Sequence, residues 1–595
     1  MGSNIERSIL FPNIEGIKYN KLDDTSFHDL ALDIVCKEVT RDAREQAIVT
    51  EILSHMTDCP EVSSYRQDVF EDFKNLPEMR AQLLDLFEKI EFNKGKGSIR
   101  KAADEKEGIW YLMHRLNEYS DYVKCVDALR ICLSNEKIKS AGLKGFKAYV
   151  DELYSASHFD ELKKDIETLQ KETVDIQSVT VGINVNNNLE AESMGLISIN
   201  NKKFKKSNIV SNFSDALSKE DKIQDGNDWN GDMHYRYADG SRSVGAYRML
   251  DDLMKFQAVS SAPFATSQLR QSTVASINEG DGLGNSTYYL ENILNKMLDS
   301  MVKKIKNTLD KYKDVVIGGI TAAIPEFVYY IRMVEFIERL EKKGFTFCKA
   351  SSVAAGESSM KATGLYNMKL AISMPNPKEL VINDLVFDKA HTIYILTGAN
   401  RGGKTTITQA VGMLFALAQG GVFVPASSFE FAPADCIYTH FPADEDKTLD
   451  LGRLGEECVR FKEIFNLITP TSLLLMNETF STTSFEEGYY IAYDSVKALL
   501  TKGPRTIYNT HMHKLAVDAP LYSEGMPVKA ASLIVKSEGG NRSFKVEIAP
   551  PEGLSYASDI AKKYGVTYDM LTSSDAGSGA SVPSAESAPA DEADA

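Results

Sequence analysis

Ten residues, Thr397 to Thr406 (TGANRGGKTT), constrain the fold more than any other stretch. Gly398, Gly403, Lys404 and Thr405 fit the spacing G-x-x-x-x-G-K-[ST]. Ahead of them, His391 to Leu396 (HTIYIL) is a short, largely apolar, β-branched run suited to a strand buried in a parallel sheet. Behind them, Thr405 to Gln419 reads as a helix. A glycine-rich turn before an ordinary helix is the plainer alternative, but it does not require this full pattern between a strand and a helix. In that context glycines let backbone N–H groups close around phosphates, and the helix N-terminus adds partial positive charge. Lys404 reaches the outer phosphates, and Thr405 offers its hydroxyl to Mg²⁺.

A loop that binds phosphate needs partners to hydrolyse it. Ser472 to Met476 (SLLLM) predicts a second buried strand, ending in Asn477-Glu478. The C-terminal end of a strand is where open α/β sheets place their ligands, so Glu478 is the expected general base for an attacking water. Ser484 and Glu487 have capping-box spacing and open a helix over Phe485 to Thr501, which Gly503-Pro504 stops. A third run, Thr506 to Thr510, delivers His511 beyond its end. A lone histidine more often serves structure, but after two matched elements a γ-phosphate sensor is the favoured reading.

The remainder bounds the organisation. A chain of 595 residues with 43% hydrophobic content has core for several domains. A net charge of −17 excludes a wholly basic nucleic-acid coat and leaves room only for a local patch. The seven cysteines include no C-x-x-C pair, which suits a reducing cytoplasm. No apolar run approaches the length of a membrane span, so no membrane partner is expected. Ser26 to Leu143 is helical in pattern. Alternation over Val179, Val181, Ile183 and Val185, then Ile197 and Ile199, predicts a β-hairpin. Lys202, Lys203, Lys205 and Lys206 surround Phe204 just beyond it; a solvated strand end explains that cluster as well as nucleic-acid phosphate contact does. The polar stretch 214–243 reads as a loop whose DGNDWNGD run fails calcium-loop spacing. One long helix from about Thr287 to Tyr312 and a second following Pro325 to Lys343 look like a lever. The Ser/Ala/Pro/acid tail cannot bury enough apolar surface to fold alone.

TGANRGGKTT, VFVPA (Val422 to Ala426), LLLMNETFSTTSFEEG and NTHMHKLA resemble the ATPase domain of the MutS family of DNA mismatch-repair proteins, a branch of the ABC ATPases. YRQDVFEDF (Tyr65 to Phe73) is similar to the family's helical core, and GLSYASDIAKKYGV (Gly553 to Val566) to its C-terminal helical segment. The resemblance implies an α/β P-loop, ABC-type ATPase domain with a large α-helical core and lever and a small β-containing clamp. The corresponding spans are an N-terminal segment 1–25, helical core 26–150, clamp-like region 151–285, lever helices 286–360, ATPase domain 361–571 and acidic tail 572–595. It further implies that Gly398, Ala399, Asn400, Arg401, Gly402, Gly403, Lys404, Thr405 and Thr406 hold ATP, with Mg²⁺ on Thr405 and Asn477. Glu478 then polarises water and His511 is the switch histidine. Gly452, Arg453 and Gly455 form a signature loop that completes a partner subunit's site, hence a homodimer with composite ATP sites closing on DNA.

Three departures shape the expected function. Asn477 stands where the family has Asp, implying slow hydrolysis with a high Mg²⁺ requirement. The signature segment reads GRLGEE (Gly452 to Glu457) in place of a Ser/Thr-containing loop. No mismatch-reading domain with a Phe-x-Glu wedge precedes the helical core, and no nuclease-like domain follows the ATPase. The expectation is a clamp acting on branched or structured DNA rather than on single mismatches. A ribosome- or RNA-associated ATPase and a non-hydrolysing, ATP-gated scaffold are the alternatives.

Overall fold

A computed structural model of the chain describes residues 7–94, 108–156, 158–173, 178–185, 187–188, 191–200, 274–276, 294–295, 298–313, 318–354, 359–389, 391–399, 402–442, 452–538, 541–551, 562 and 564–572. The chain forms two compact units, one made of 1–13 and 72–331, the other of 14–71 and 332–595. Its first two strands, β1 (Asn20–Lys21) and β2 (His55–Met56), make a short antiparallel pair in the second unit.

The first unit is mostly helical. Helices Pro77–Lys94, Ile109–Cys132, Ala141–Ser155, Phe159–Thr173 and Asp299–Asp310 surround an aromatic core. In it Phe73 stacks on Tyr330 at 5.4 Å, and Phe146 meets Phe327 edge-on at 5.2 Å. Its polar groups are tied down locally: Asp72 accepts from the backbone N–H groups of Lys139 and Ser140, and the hydroxyl of Ser140 in turn caps the helix it precedes. The expected hairpin is present as β3 (Ser178–Val185) and β4 (Ala191–Asn200), joined by β5 (Val274–Ser276) in an antiparallel three-stranded sheet. Lys202, Lys203, Lys205, Lys206 and the polar stretch 214–243 lie outside the described residues.

Two expectations for the long helices change. The second does not start after Pro325: it runs Gly318–Lys342 with Pro325 inside it. Buried residues on both sides of the proline, Ile320, Ala323, Phe327 and Ile331, continue one apolar face, so packing overrides the missing N–H. The first helix is described only from Asp299 to Asp310.

The second unit carries a six-stranded sheet, ordered β11 (Ile437–His440), β12 (Leu473–Asn477), β13 (Arg505–Asn509), β9 (His391–Thr397), β14 (Lys529–Glu538) and β15 (Asn541–Ile548). The first five are parallel and β15 closes the edge antiparallel. A mixed sheet, β6 (Ala350–Ser352), β10 (Ser428–Phe431), β7 (Met360–Leu365) and β8 (Asn383–Phe387), stands beside it. All five residues of β12 and of β13 are buried, as strands covered on both faces require. Arg505, the one cation in these two strands, donates to the backbone oxygens of Ala432, Pro433 and Thr471. One face of the sheet, with Ile393, Ile395, Leu474, Met476 and Tyr508, packs on Val496, Leu499 and Leu500.

The other face receives the helix Lys404–Gln419, whose sequence is apolar nearly all round and which is therefore buried all round. Its outer cover is the stretch 14–71; residues 26–71, expected in the helical core, cluster instead with 332–595. The reason is direct contact: Gln409 Nε2 donates to Asp29 O at 2.8 Å, Gln419 Nε2 to Thr57 O at 2.9 Å, and Arg66 to Gln419 O at 2.7 Å.

Candidate nucleotide site

Sheet order brings the ends of β9, β12 and β13 to one edge, with β13 between the other two. Register does the rest, pairing Asn477 with Asn509. Gly398, at φ +142°, and Gly403, at φ +89°, bound the loop after β9, and Gly403 occupies the N-cap of the following helix. A Cβ on Gly398 would come within 3.0 Å of Val535 Cβ, so the turn needs glycine for space as well as for backbone freedom.

Lys404 is buried, and its ammonium donates to the carbonyls of Gly398 at 3.1 Å and Ala399 at 3.2 Å. Burial lowers its pKa below the usual lysine value, and the nearby Glu478 carboxylate opposes that shift. Thr405 Oγ1 donates to Asn477 Oδ1 at 3.0 Å, and Asn509 Nδ2 donates to the same Oδ1. Asn509 Oδ1 is buried with no hydrogen-bond partner.

Glu478 and His511 meet directly, Oε1 to Nε2 at 2.9 Å. The second carboxylate oxygen of Glu478 is buried with no hydrogen-bond partner. Glu478 adopts left-handed φ +52° and Phe480 φ +60°, conformations costing about 1–3 kcal/mol each for non-glycine residues. A bond from Glu478 N to Asn509 O, 2.9 Å, helps hold the first.

Gly402, Gly403, Lys404, Thr405, Thr406, Glu478 and His511 all line one cavity of about 720 Å³. The same cavity has an apolar and aromatic lining: Tyr366, Leu370, Met374, Leu380, Val381 and Phe544. A cavity that combines a glycine loop and a lysine with such a lining suits a nucleotide. Asn383 and Asn367 also line it, but their amides are engaged with backbone, Asn383 with Phe544 O and Val546 N, Asn367 with Thr406 O.

Asn400 and Arg401 lie outside the described residues. Gly452, Arg453 and Gly455 open the helix Gly452–Leu467 and do not line this chain's cavity. Asn509, His440 and the apolar wall were missed from the sequence. For Asn509 a signal existed, two buried runs each ending in Asn; for Phe544, delivered by β15, there was none. Among the described residues no cluster of three His, Cys, Asp or Glu could hold a metal. A Mg²⁺ ion nonetheless fits the oxygen donors present, the Thr405 hydroxyl and the Asn477 amide, provided a nucleotide supplies the anionic ligands.

A family model described as MutS domain V matches residues 394–575, which include every residue of the loop and both Glu478 and His511; one described as MutS2 N-terminal domain matches 58–343. The chain belongs to the MutS family. Curated proteins named DNA mismatch repair protein MutS are similar to about a third of this chain. The DNA mismatch repair protein MutS of Chlorobium phaeobacteroides is 29% identical over 228 residues, 38% of this chain and 26% of that protein. Those of Methanococcoides burtonii and Prochlorococcus marinus are 32% identical over 195 residues and 31% over 199, covering 32% and 33% of this chain and 22% and 21% of theirs. The match therefore spans about a quarter of the length of these MutS relatives. Among the described residues no helix is long and apolar enough to cross a membrane.

Proposed function

We propose that this MutS-family chain is an ATPase that binds ATP with Mg²⁺ and acts as a homodimeric clamp on branched or otherwise structured DNA. The observation that carries the reading is the meeting of Glu478 and His511 at 2.9 Å in the cavity that also holds Lys404 and Thr405. In this reading the glycine-loop amides and Lys404 hold the β- and γ-phosphates, with the ammonium leaving the Gly398 and Ala399 carbonyls for the phosphate oxygens. Thr405 keeps its proton on Asn477 Oδ1, which turns a hydroxyl lone pair toward the cation. Mg²⁺, when bound, neutralises charge developing between the phosphates. Glu478 takes the proton of the attacking water, and His511 holds the carboxylate until the γ-phosphate arrives. The apolar wall with Tyr366 and Phe544 receives the base. Gly452, Arg453 and Gly455 complete the partner's site.

The test is Lys404→Ala in the full chain. ATP binding should be lost while the far-ultraviolet circular dichroism stays that of the native protein; unchanged ATP affinity would remove the basis of the reading. A second reading, an ATP-gated scaffold that does not hydrolyse, is favoured by one observation: Asn477 places an amide, not a carboxylate, beside Thr405. ATP-driven dimerisation without phosphate release would select it.

A further inference from the structure

Behind the nucleotide cavity lies a buried polar cluster that the proposed chemistry does not use. Thr479, the residue after Glu478, is held from several sides. Its carbonyl accepts from Tyr508 OH at 2.8 Å, and its hydroxyl lies 3.0 Å from His440 Nδ1 and 3.1 Å from His440 O. His440 Nε2 lies 3.1 Å from the carbonyl of Glu457, in the first two turns of the helix Gly452–Leu467. A carbonyl can only accept, so the neutral ring carries its proton on Nε2, and the one proton of the Thr479 hydroxyl is shared between His440 O and the unprotonated Nδ1. The same helix faces the loop a second way: burial raises the pKa of the Glu457 carboxyl, and the Phe480 N–H and the Thr482 hydroxyl beside it oppose that rise. It reaches it a third way through Phe461, 5.6 Å from Phe480, with the His440 ring 6.0 Å from Phe480 as well.

The cluster is dry. His440 and Thr479 are both 2% exposed, and one oxygen of Glu457 is buried with no hydrogen-bond partner. What it holds is a loop with two non-glycine residues in left-handed conformations, Glu478 and Phe480. Such a backbone persists only where its surroundings over-determine it.

We propose that His440 and Thr479 are positioning residues that lock the Glu478 loop to the head of the helix Gly452–Leu467, so that helix and water-activating carboxylate move as one body. The proposal rests on the function proposed above and deepens it. If the head of that helix contacts a partner's nucleotide, occupancy of the partner's site is felt at Glu478 of the same chain. The link runs from the Glu457 carbonyl through the His440 ring to the Thr479 hydroxyl.

The experiment uses the full chain with His440→Ala, His440→Gln, Thr479→Val and the double variant His440→Ala/Thr479→Val. Steady-state ATP hydrolysis, equilibrium ATP binding, thermal melting and hydrogen exchange over 452–467 and 478–483 are measured in parallel. We expect kcat to fall at least about tenfold in His440→Ala and in Thr479→Val, with ATP affinity held within about twofold. The double variant should be no slower than the slower single, because both remove one link. Amides of 478–483 should exchange faster in each, and His440→Gln, which retains a donor on the Nε2 side, should recover part of kcat. Native kcat in both single variants, additive losses, or a loss that merely tracks a lower melting temperature would overturn the proposal. If the native protein binds ATP but hydrolyses none, the functional reading fails instead, and the exchange arm still decides: native protection of 478–483 in His440→Ala and Thr479→Val overturns the lock.

Discussion

Asn477 has no charge to offer a cation, and its Oδ1 is already shared between the Thr405 hydroxyl and the Asn509 amide. Asn477→Asp keeps both bonds, since a carboxylate oxygen accepts wherever an amide oxygen does, and adds a full negative charge. Outer-sphere changes of this kind move metal affinity by roughly 10- to 100-fold. The Mg²⁺ concentration that supports half-maximal ATP hydrolysis should therefore fall by that order in Asn477→Asp, and a superimposable Mg²⁺ titration would show that the amide is no handicap. Glu478→Gln separates the other role: ATP binding should persist while turnover disappears, read by single-turnover phosphate release. His440 makes a prediction in pH. Burial, with the Arg460 charge adding to it, pushes its pKa from the ordinary 6.5 down to about 4, so the native imidazole is neutral. As pH falls below 6.5 the unfolded chain takes up a proton that the native state refuses until about 4. Stability due to this group is thus present above that window and lost through it, at up to about 1.4 kcal/mol per pH unit. Glu457 and Asp29, whose carboxyl pKa values burial raises, titrate with the opposite sign but are common to both proteins compared. The stability advantage of the native chain over His440→Gln should shrink between pH 7 and pH 5 in urea melts; a constant difference would mean that the ring is not kept neutral.

Helices and strands of the second unit are held at a few positions where side-chain volume is the whole argument. Gly412, mid-helix, faces Leu30 on one side and Leu475 on the other, and an added Cβ would lie 2.3 Å and 2.8 Å from their methyl carbons. Gly412→Ala should cost about 1–3 kcal/mol despite its better helix propensity, visible as a lower urea midpoint. Gly421, at φ +83°, lies against Arg66 Cβ and backbone, so Gly421→Ala meets both strain and overlap and should cost more than Gly412→Ala. Much at this scale was legible in the sequence. The runs ending at Thr397, Asn477 and Asn509 are rich in apolar and β-branched residues, and glycine, capping serine and proline punctuate them, so local physics alone separates strand from loop. What was not legible depends on pairing across the chain. Leu30 finding Gly412, Asn509 finding Asn477, and His440 finding Thr479 follow from sheet order and register, which periodicity does not encode. Pro325 misled for the opposite reason: a strong local stop signal was outweighed by an apolar face that continues through it.

For the whole molecule, the composite-site proposal is tested by mixing. A Lys404→Ala subunit and an Arg453→Glu subunit should each be inactive alone, and heterodimers should regain one working site, read as ATP turnover; mixtures that stay inactive although heterodimers form would argue for self-contained sites. Replacing Lys202, Lys203, Lys205 and Lys206 with Ala should flatten the salt dependence of binding to branched DNA by up to about four phosphate contacts. The division of the chain has its own outcome. It passes from one unit to the other three times, near residues 13, 71 and 331, the last two within a helix, Pro60–Asn75 and Gly318–Lys342. The unit that carries the candidate site is thus a discontinuous fold, and residues 72–331 of the other unit separate its two segments in translation order. Residues 14–71 leave the ribosome before the helix Lys404–Gln419 that they cover has been made, and that helix cannot be buried until the early segment is recruited back. A recombinant fragment beginning at 332 would expose the Gly412 face and aggregate. Splicing 14–71 onto such a fragment through a designed connector should restore a soluble, ATP-binding protein.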